Sequence, residues 1–479
     1  MPKSNVYSPP ASGMDPDVIP LMKSKEPNAD KPASNKLPVM KFEDYLLLVE
    51  ENHPSLRIAG INQQISRAKR IEKQGAFDPA INSRTTFNRF NSTSDIGADQ
   101  EAFETVSALE FVTRQGTKVS LGYMLSDGDI KTPIKPTGDG GEPYFKLAVP
   151  LIRGAFVNPK STEEKQAFLL EDQAAYKVYL KRLEVLLKAT SAYWKWVSSE
   201  RALAVEEQLL ELANVRLTMV ERRAKEGDLA AIDVVEAGQE VQKRQGRLAR
   251  AQRNLQEATL ILALYLWDAN GDPLPTVKVQ QSPGLASVDE KPEHTILKAS
   301  KIDALQFRPE LSILDLSRSI TKLDKKLAFN QLLPQLDAIL EPGYELGANG
   351  IDNTYRIGAQ VSIPLRRRTA RGRLDQAKLT LERLSVQERQ LIRSIFVQVE
   401  DVYSQLITLY DRIQAATQEV ELAETMAHGE RTRYSLGDST LFVVNRRERS
   451  AAQARIKLIK LKADYAVAEM ALKAASGRL

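Results

Sequence analysis

The chain has 479 residues, with 67 Lys and Arg against 62 Asp and Glu, a formal net charge of +5 and no cysteine. Without cysteine there are no disulfides, no thiolate chemistry, no zinc–thiolate site and no lipidated cysteine. The two signs of charge are interspersed, which reads as a solvated helical surface rather than the concentrated basic face of a nucleic-acid binder.

No run of 18 apolar residues is present, which argues against a transmembrane helix. It does not argue against a β-barrel, whose alternating strands leave a weak hydropathy signal. Residues 1–36, rich in Pro, Ser, Lys and Asn and lacking the apolar core of a signal peptide, read as a disordered leader. A first repeat is expected over 37–267. It opens with a helix at about 41–75 and passes through a β segment over 77–151. The strands expected there run from Ile81 to Phe90, Phe103 to Val112, Lys118 to Leu125 and Tyr144 to Leu151, with Gln115-Gly116-Thr117 as a hairpin turn. A long helix follows at about 160–225, then a turn at Glu226-Gly227-Asp228 and a returning helix at about 229–267. Neither this long helix nor its later counterpart contains proline in its interior, and each is expected to reach roughly 100 Å. Apolar residues recur at three- and four-residue steps (Leu183, Leu187, Trp194, Val197, then Leu209, Leu212, Val215), which predicts coiled-coil-like packing.

Residues 268–301 read as a linker, and a second repeat is expected over 302–476. Its opening helix is placed at about 302–331, its β hairpin at 334–365, its long helix at about 367–435 and its returning helix at about 440–476. Tyr355, Ile357, Ala359, Val361 and Ile363 alternate with polar residues or Pro, and residues 347–353 read as the hairpin turn. A membrane barrel strand and a half-buried soluble sheet alternate in the same way, so both readings stay open on the alternation alone.

The duplication rests on ordered anchors. His53-Pro54-Ser55-Leu56 recurs as Arg308-Pro309-Glu310-Leu311, and Pro79 as Pro334, both at an offset of 255. Val149-Pro150-Leu151 matches Ile363-Pro364-Leu365 at 214, while Tyr193 and Gly227-Asp228 match Tyr403 and Gly437-Asp438 at 210. The fall from 255 to 214 places a 41-residue insertion between Pro79 and Val149. It is expected to add a hairpin near 103–125 that either enlarges a barrel or projects from its outer mouth.

No nucleophile elbow, phosphate loop or dinucleotide fingerprint occurs. His53, His294 and His428 lie in separate elements, so no catalytic, cofactor or metal site is expected and the chain does not read as an enzyme. Tyr193-Trp194-Lys195-Trp196 reads as helix–helix packing. Arg366-Arg367-Arg368 and Arg446-Arg447 read as solvated helix starts or turns.

Several of these elements resemble the TolC-like outer-membrane efflux proteins. They are Asn52-His53-Pro54, Gln74-Gly75-Ala76-Phe77-Asp78-Pro79 entering a strand, Val149-Pro150-Leu151-Ile152-Arg153-Gly154 leaving the β region, and the turns ending at Gly227 and Gly437. The resemblance covers about residues 37–476. It implies a mainly α chain with a membrane β-barrel sector, three copies of which form an α/β-barrel duct through the outer membrane and periplasm. The implied partners are the chain's own copies, outer-membrane lipid, a periplasmic adaptor and an inner-membrane pump of RND, ABC or MFS type, in an efflux or type I secretion system. It also implies that Gly227, Asp228, Gly437 and Asp438 lie at the periplasmic tip that docks the adaptor. Tyr355, Ile357, Ala359, Val361 and Ile363 would face lipid. Drug-efflux members often carry acidic residues six and nine positions after the second glycine, where this chain has Val443 and Arg446. Asp233, six after Gly227, keeps an acidic group, so Asp233 and Arg446 are the candidate entrance gate. A soluble coiled-coil scaffold and a periplasmic adaptor are the competing readings.

Overall fold

The structure, a computed structural model, describes residues 40–91, 99–128, 137, 139–274, 285, 288–347 and 350–479; the expected leader lies outside them. The chain runs α1 (Phe42–Asn52), α2 (Pro54–Gln74), β1 (Ala80–Asn91), β2 (Asp99–Val112), β3 (Lys118–Gly128), β4 (Glu142–Pro150), α3 (Pro159–Lys225) and α4 (Ala231–Ala263). The second repeat follows as α5 (His294–Phe307), α6 (Pro309–Asn330), β5 (Gln335–Gly347), β6 (Gly350–Ser362), α7 (Arg368–Ser435) and α8 (Leu441–Ala475). It is a mostly helical, duplicated arrangement of helix, strands, long helix and returning helix.

Proline punctuates both repeats alike. Each opening helix, expected as one piece, is two. His53 (φ −66°, ψ 125°) and Arg308 (φ −69°, ψ 117°) leave the helical region because each precedes a proline that crowds its backbone. Pro54 and Pro309 then begin new helices, where a missing N–H costs nothing. The second opening helix also starts at His294, inside the expected linker, one residue after Pro292-Glu293. The long helices have 67 and 68 residues, about 100 Å each at the α-helical rise.

The helices form a wall one layer thick. Near the sheet the lateral order is α2, α3, α6, α7, and toward the far end it is α4, α3, α8, α7. Two equivalent cores sit where opening, long and returning helices meet. One gathers Tyr45 and Val49 of α1, Val185, Leu186, Ala189, Tyr193, Trp196 and Val197 of α3, and Ala258 and Leu262 of α4. The other gathers Ala304 of α5, Ile395, Val399, Leu406, Leu409 and Ile413 of α7, and Leu461, Tyr465 and Leu472 of α8. Tyr193 stacks on Tyr45 at 5.2 Å and donates to the Met40 carbonyl at 2.8 Å. Val215, expected in the packed stripe, is exposed, because a single layer has two open faces.

The six strands among the described residues form one antiparallel sheet in chain order, with β4 pairing β5 to join the repeats. The inserted hairpin β2–β3 therefore lies within the sheet, between β1 and β4, and does not project from it. In the second hairpin Gly347 already pairs with Gly350, so its turn is shorter than the expected 347–353.

The inner turn of β2–β3 is built into the junction with α3. Asn158 caps α3 by accepting from the Ser161 N–H at 2.9 Å, and its amide donates to the Arg114 carbonyl at 3.0 Å. Arg114 grips the buried Glu164 carboxylate through two nitrogens, at 2.9 and 2.7 Å, while its guanidinium lies 5.0 Å from the Phe77 ring centre. Gly116 has φ +95°, and a Cβ there would stand 2.4 Å from the Gly154 carbonyl oxygen. Gly116→Val is therefore expected to destabilise the fold by about 1–3 kcal/mol, read as a lower thermal midpoint by circular dichroism. Gly60→Ala, which meets open space in α2, is expected to leave the midpoint unchanged or raise it.

Candidate functional site

The sheet has two chemically different faces. Directly paired residues share a face, so the register sorts the side chains. One face carries Ile81, Leu109, Leu121, Phe145, Leu147, Leu340, Tyr355 and Ile357. Ala359 and Val361 lie on it too, opposite Ala338 and Leu336, and Ile363 follows just past the end of β6. Ile357 is 76% exposed. Within that face Ser83 and Ser107 pair hydroxyl to hydroxyl at 2.8 Å, and Thr85 and Thr105 at 3.0 Å.

The opposite face is charged. Glu341 binds Lys146 at 2.8 Å and also Arg356, which reaches Glu142 at 3.4 Å. Thr354 donates to Glu142 at 2.7 Å, and Asn82 to Glu110 at 2.8 Å. A sheet apolar on one side and ion-paired on the other can separate hydrocarbon from water.

At the far end of the helices the two hairpin turns repeat each other bond for bond. The Asp228 N–H donates to the Arg223 carbonyl at 2.9 Å and the Gly227 N–H to Ala224 at 3.2 Å. Asp438 donates to Arg433 at 2.9 Å and Gly437 to Tyr434 at 3.1 Å. Each is a Schellman closure with its glycine in the left-handed region, φ +85° at Gly227 and +84° at Gly437. Each turn also carries an Arg–Asp pair, Arg223–Asp228 at 3.8 Å and Arg433–Asp438 at 3.9 Å. Asp233 accepts from the Ala230 N–H at 3.1 Å, as the third residue of α4 capping its own helix. Arg446 is exposed on α8, and no hydrogen bond or ion pair among the described residues joins it to Asp233.

A few turns above the tip lies a cluster that the sequence did not single out. Glu448 of α8, its side chain fully buried, receives Arg216 of α3 at 2.6 and 2.9 Å, Arg431 of α7 at 2.8 Å and Arg244 of α4 at 3.0 Å. Arg244 also binds Glu240 at 3.0 Å and the Leu209 carbonyl at 2.6 Å. One carboxylate thus ties all four long and returning helices, and both repeats, together. The available signal was placement: Glu448 falls on the buried stripe with Leu441, Val444 and Ala451, and Arg244 on the stripe with Ala237 and Val241. Burial pushes the Glu448 carboxyl upward, but the hydrogen bonds and charge of Arg216, then those of Arg431 and Arg244, outweigh it and hold the pKa at about 2.

Breaking the cluster from one side should be costly. Glu448→Ala would remove the carboxylate shared by Arg216 and Arg244, leaving the largely buried Arg216 without a counter-charge and Arg244 with Glu240 alone, at an expected loss of about 3–5 kcal/mol. Because the folded pKa lies below the unfolded one, the carboxylate's contribution is complete above about pH 4.5 and is lost as pH falls toward 2. Thermal midpoints across that window should therefore fall more steeply for the native chain than for Glu448→Gln. Parallel curves for the two would refute the assignment.

Residues 303–478 match the protein family described as outer membrane efflux protein. No curated protein matches the chain in sequence. Among solved structures, CusC is 15% identical with a TM-score of 0.67, covering 94% of this chain and 99% of its own. The CmeC outer membrane channel of Campylobacter jejuni is 13% identical with a TM-score of 0.66, covering 96% and 94%. The outer membrane protein VceC of Vibrio cholerae is 15% identical with a TM-score of 0.67, covering 91% and 95%. The two-faced sheet, the twin tips and these likenesses agree: residues 303–478 match the outer membrane efflux protein family, and more than nine-tenths of the chain shares the fold of the solved outer-membrane channels.

Proposed function

We propose that three copies of this chain close into one passive duct, an outer-membrane efflux channel that continues across the periplasm to an adaptor and an energised inner-membrane pump. The observation that carries this reading is the sheet. It has one apolar and one charged face, and among the described residues its end strands β1 and β6 each pair with a single strand. In hydrocarbon an open edge leaves a row of unpaired backbone groups, so such a sheet enters a membrane only as a sector of a closed barrel. Strands of 9–14 residues, tilted about 40°, give a band of about 25–35 Å, which suits a bilayer core.

The helices support the same closure. On the α2 flank Ile58, Ile61 and Ile65 are exposed, at helical spacing; on the α7 flank so are Leu379, Val386 and Leu422. Two different flanks that both expose apolar side chains suit a head-to-tail ring, in which α7 of one copy packs on α2 of the next. A coiled-coil scaffold or an adaptor hairpin gives no account of the six-stranded sheet. The purified protein in mild detergent is expected to be a trimer, seen by electron microscopy as a cylinder roughly 130–150 Å long. A compact monomer would end this proposal.

We assign Gly227, Asp228, Gly437 and Asp438 to adaptor docking, since both turns are exposed at the far end of the tunnel, and Asp233 and Arg446 to the neighbourhood of its entrance. Gly227→Val puts a Cβ into open space but forces it to φ +85°. Trimers should therefore persist in the membrane while export is lost. Asp233→Ala with Arg446→Ala should raise single-channel conductance in planar bilayers at unchanged trimer stability, and an unchanged conductance removes the gate role. On the sheet, Ile357→Arg should impair assembly by about 2–4 kcal/mol, whereas Gln360→Arg, on the charged face, should be tolerated. Equal damage from both would mean that the alternation has been misassigned.

A further inference from the structure

Resting on the three-copy reading, we infer that the inserted hairpin β2–β3 is a working part of the pore wall, so that the barrel has eighteen strands and a mouth as wide as the helical tunnel beneath it. The un-inserted second repeat contributes two strands and the first contributes four. Two un-inserted repeats would give four strands per chain and a barrel of twelve.

Three independent features make the hairpin wall rather than appendage. It is hydrogen-bonded along both sides, from Ala80↔Glu110 to Asn91↔Asp99 against β1 and from Lys118↔Ala148 to Met124↔Glu142 against β4. It carries the same two faces as the other strands. Phe103, Leu109 and Phe111 of β2 with Val119, Leu121 and Leu125 of β3 lie on the apolar side; Glu104, Glu110, Lys118 and Ser120 lie on the charged one. A hairpin standing clear of the membrane would be wet on both sides and would need no such division. Finally, it is fitted to its neighbours at close range. The Tyr144 ring of β4 lies over Gly122 of β3, where a Cβ would be 2.4 Å from the ring, and the Arg114–Glu164 grip anchors the inner turn to α3.

Arc lengths explain why the wall takes this extra width. Each chain is four helices wide, which at the usual interaxial spacing spans about 32–40 Å of circumference. Six strands tilted about 40° span about 37 Å, whereas four would span about 25 Å. The six-stranded sector continues the helical wall without a step, and the closed barrel is about 36 Å across between backbones instead of about 24 Å. An even strand number also keeps the seam antiparallel, with a descending β6 meeting the neighbour's ascending β1. The membrane mouth then sets no size limit tighter than the tunnel's own. The cargo this width admits is of a bulkier class than a twelve-stranded mouth would pass.

Cryo-electron microscopy of the native trimer tests this directly. Eighteen hydrogen-bonded strands, with each β6 paired to a neighbour's β1, are expected. A trimer with twelve wall strands and β2–β3 outside the wall overturns the wide mouth while leaving the duct intact, and any species other than a trimer overturns both. A second measurement uses polyethylene glycols of graded size added from the barrel side of channels in planar bilayers. Replacing residues 92–141 by Asn-Gly, which joins β1 directly to β4, should roughly halve the mouth cross-section and lower the size cut-off accordingly. An unchanged cut-off overturns the proposal. If the shortened chain does not assemble, the strand count of the native trimer decides alone.

Discussion

The outer edges of β1 and β6, which have no strand partner among the described residues, are the constraint on which the proposed duct depends. In the proposed duct a sheet edge in hydrocarbon has no water to satisfy it, so each edge is paired by another copy's opposite edge. Ring closure in the sheet then dictates ring closure in the helices below, because α2, α3, α6 and α7 leave β1, β4, β5 and β6 in the same lateral order. A wall one helix thick follows, with water on both sides. Within the chain α3 has neighbours on both flanks and α7 on one; in the proposed ring the next copy would cover the other flank of α7.

Much of this was legible in the sequence because proline and glycine act locally. Pro159 starts α3, Gly227 and Gly437 end the long helices, and proline-free interiors allow about 100 Å of uninterrupted helix. The duplicated anchors, read at offsets of 255, 214 and 210, fixed the repeat and located the insertion. The apolar face of β6 was readable from its period of two. The split at Pro54 and Pro309 was also a local signal, available from the rule that a residue before proline leaves the helical region, but the opening helices were read through it.

What was not legible depends on pairing between distant segments. The insertion's position in the sheet is set by β3 against β4 and β2 against β1, a register that no single strand displays. Glu448 looked like one more solvated charge among many. Its meaning comes from Arg216, Arg244 and Arg431 arriving from three other helices, up to 232 residues away in sequence. Val215 fits the helical period of its neighbours and is nevertheless exposed, because periodicity reports a stripe without saying which stretch of it has a partner.

The Glu448 cluster also has a mechanical consequence. It lies seven residues into α8 and about nine from the end of α3, so roughly 11–15 Å of each hairpin extends beyond it. Below it a small apolar cluster, Val220, Ala237 and Leu441 with Tyr434 alongside, joins the two repeats. The four arginine–carboxylate contacts therefore act as a fulcrum. Whatever force spreads the turns bends these short arms about a fixed pivot, and the hundred-ångström shaft above is spared the strain.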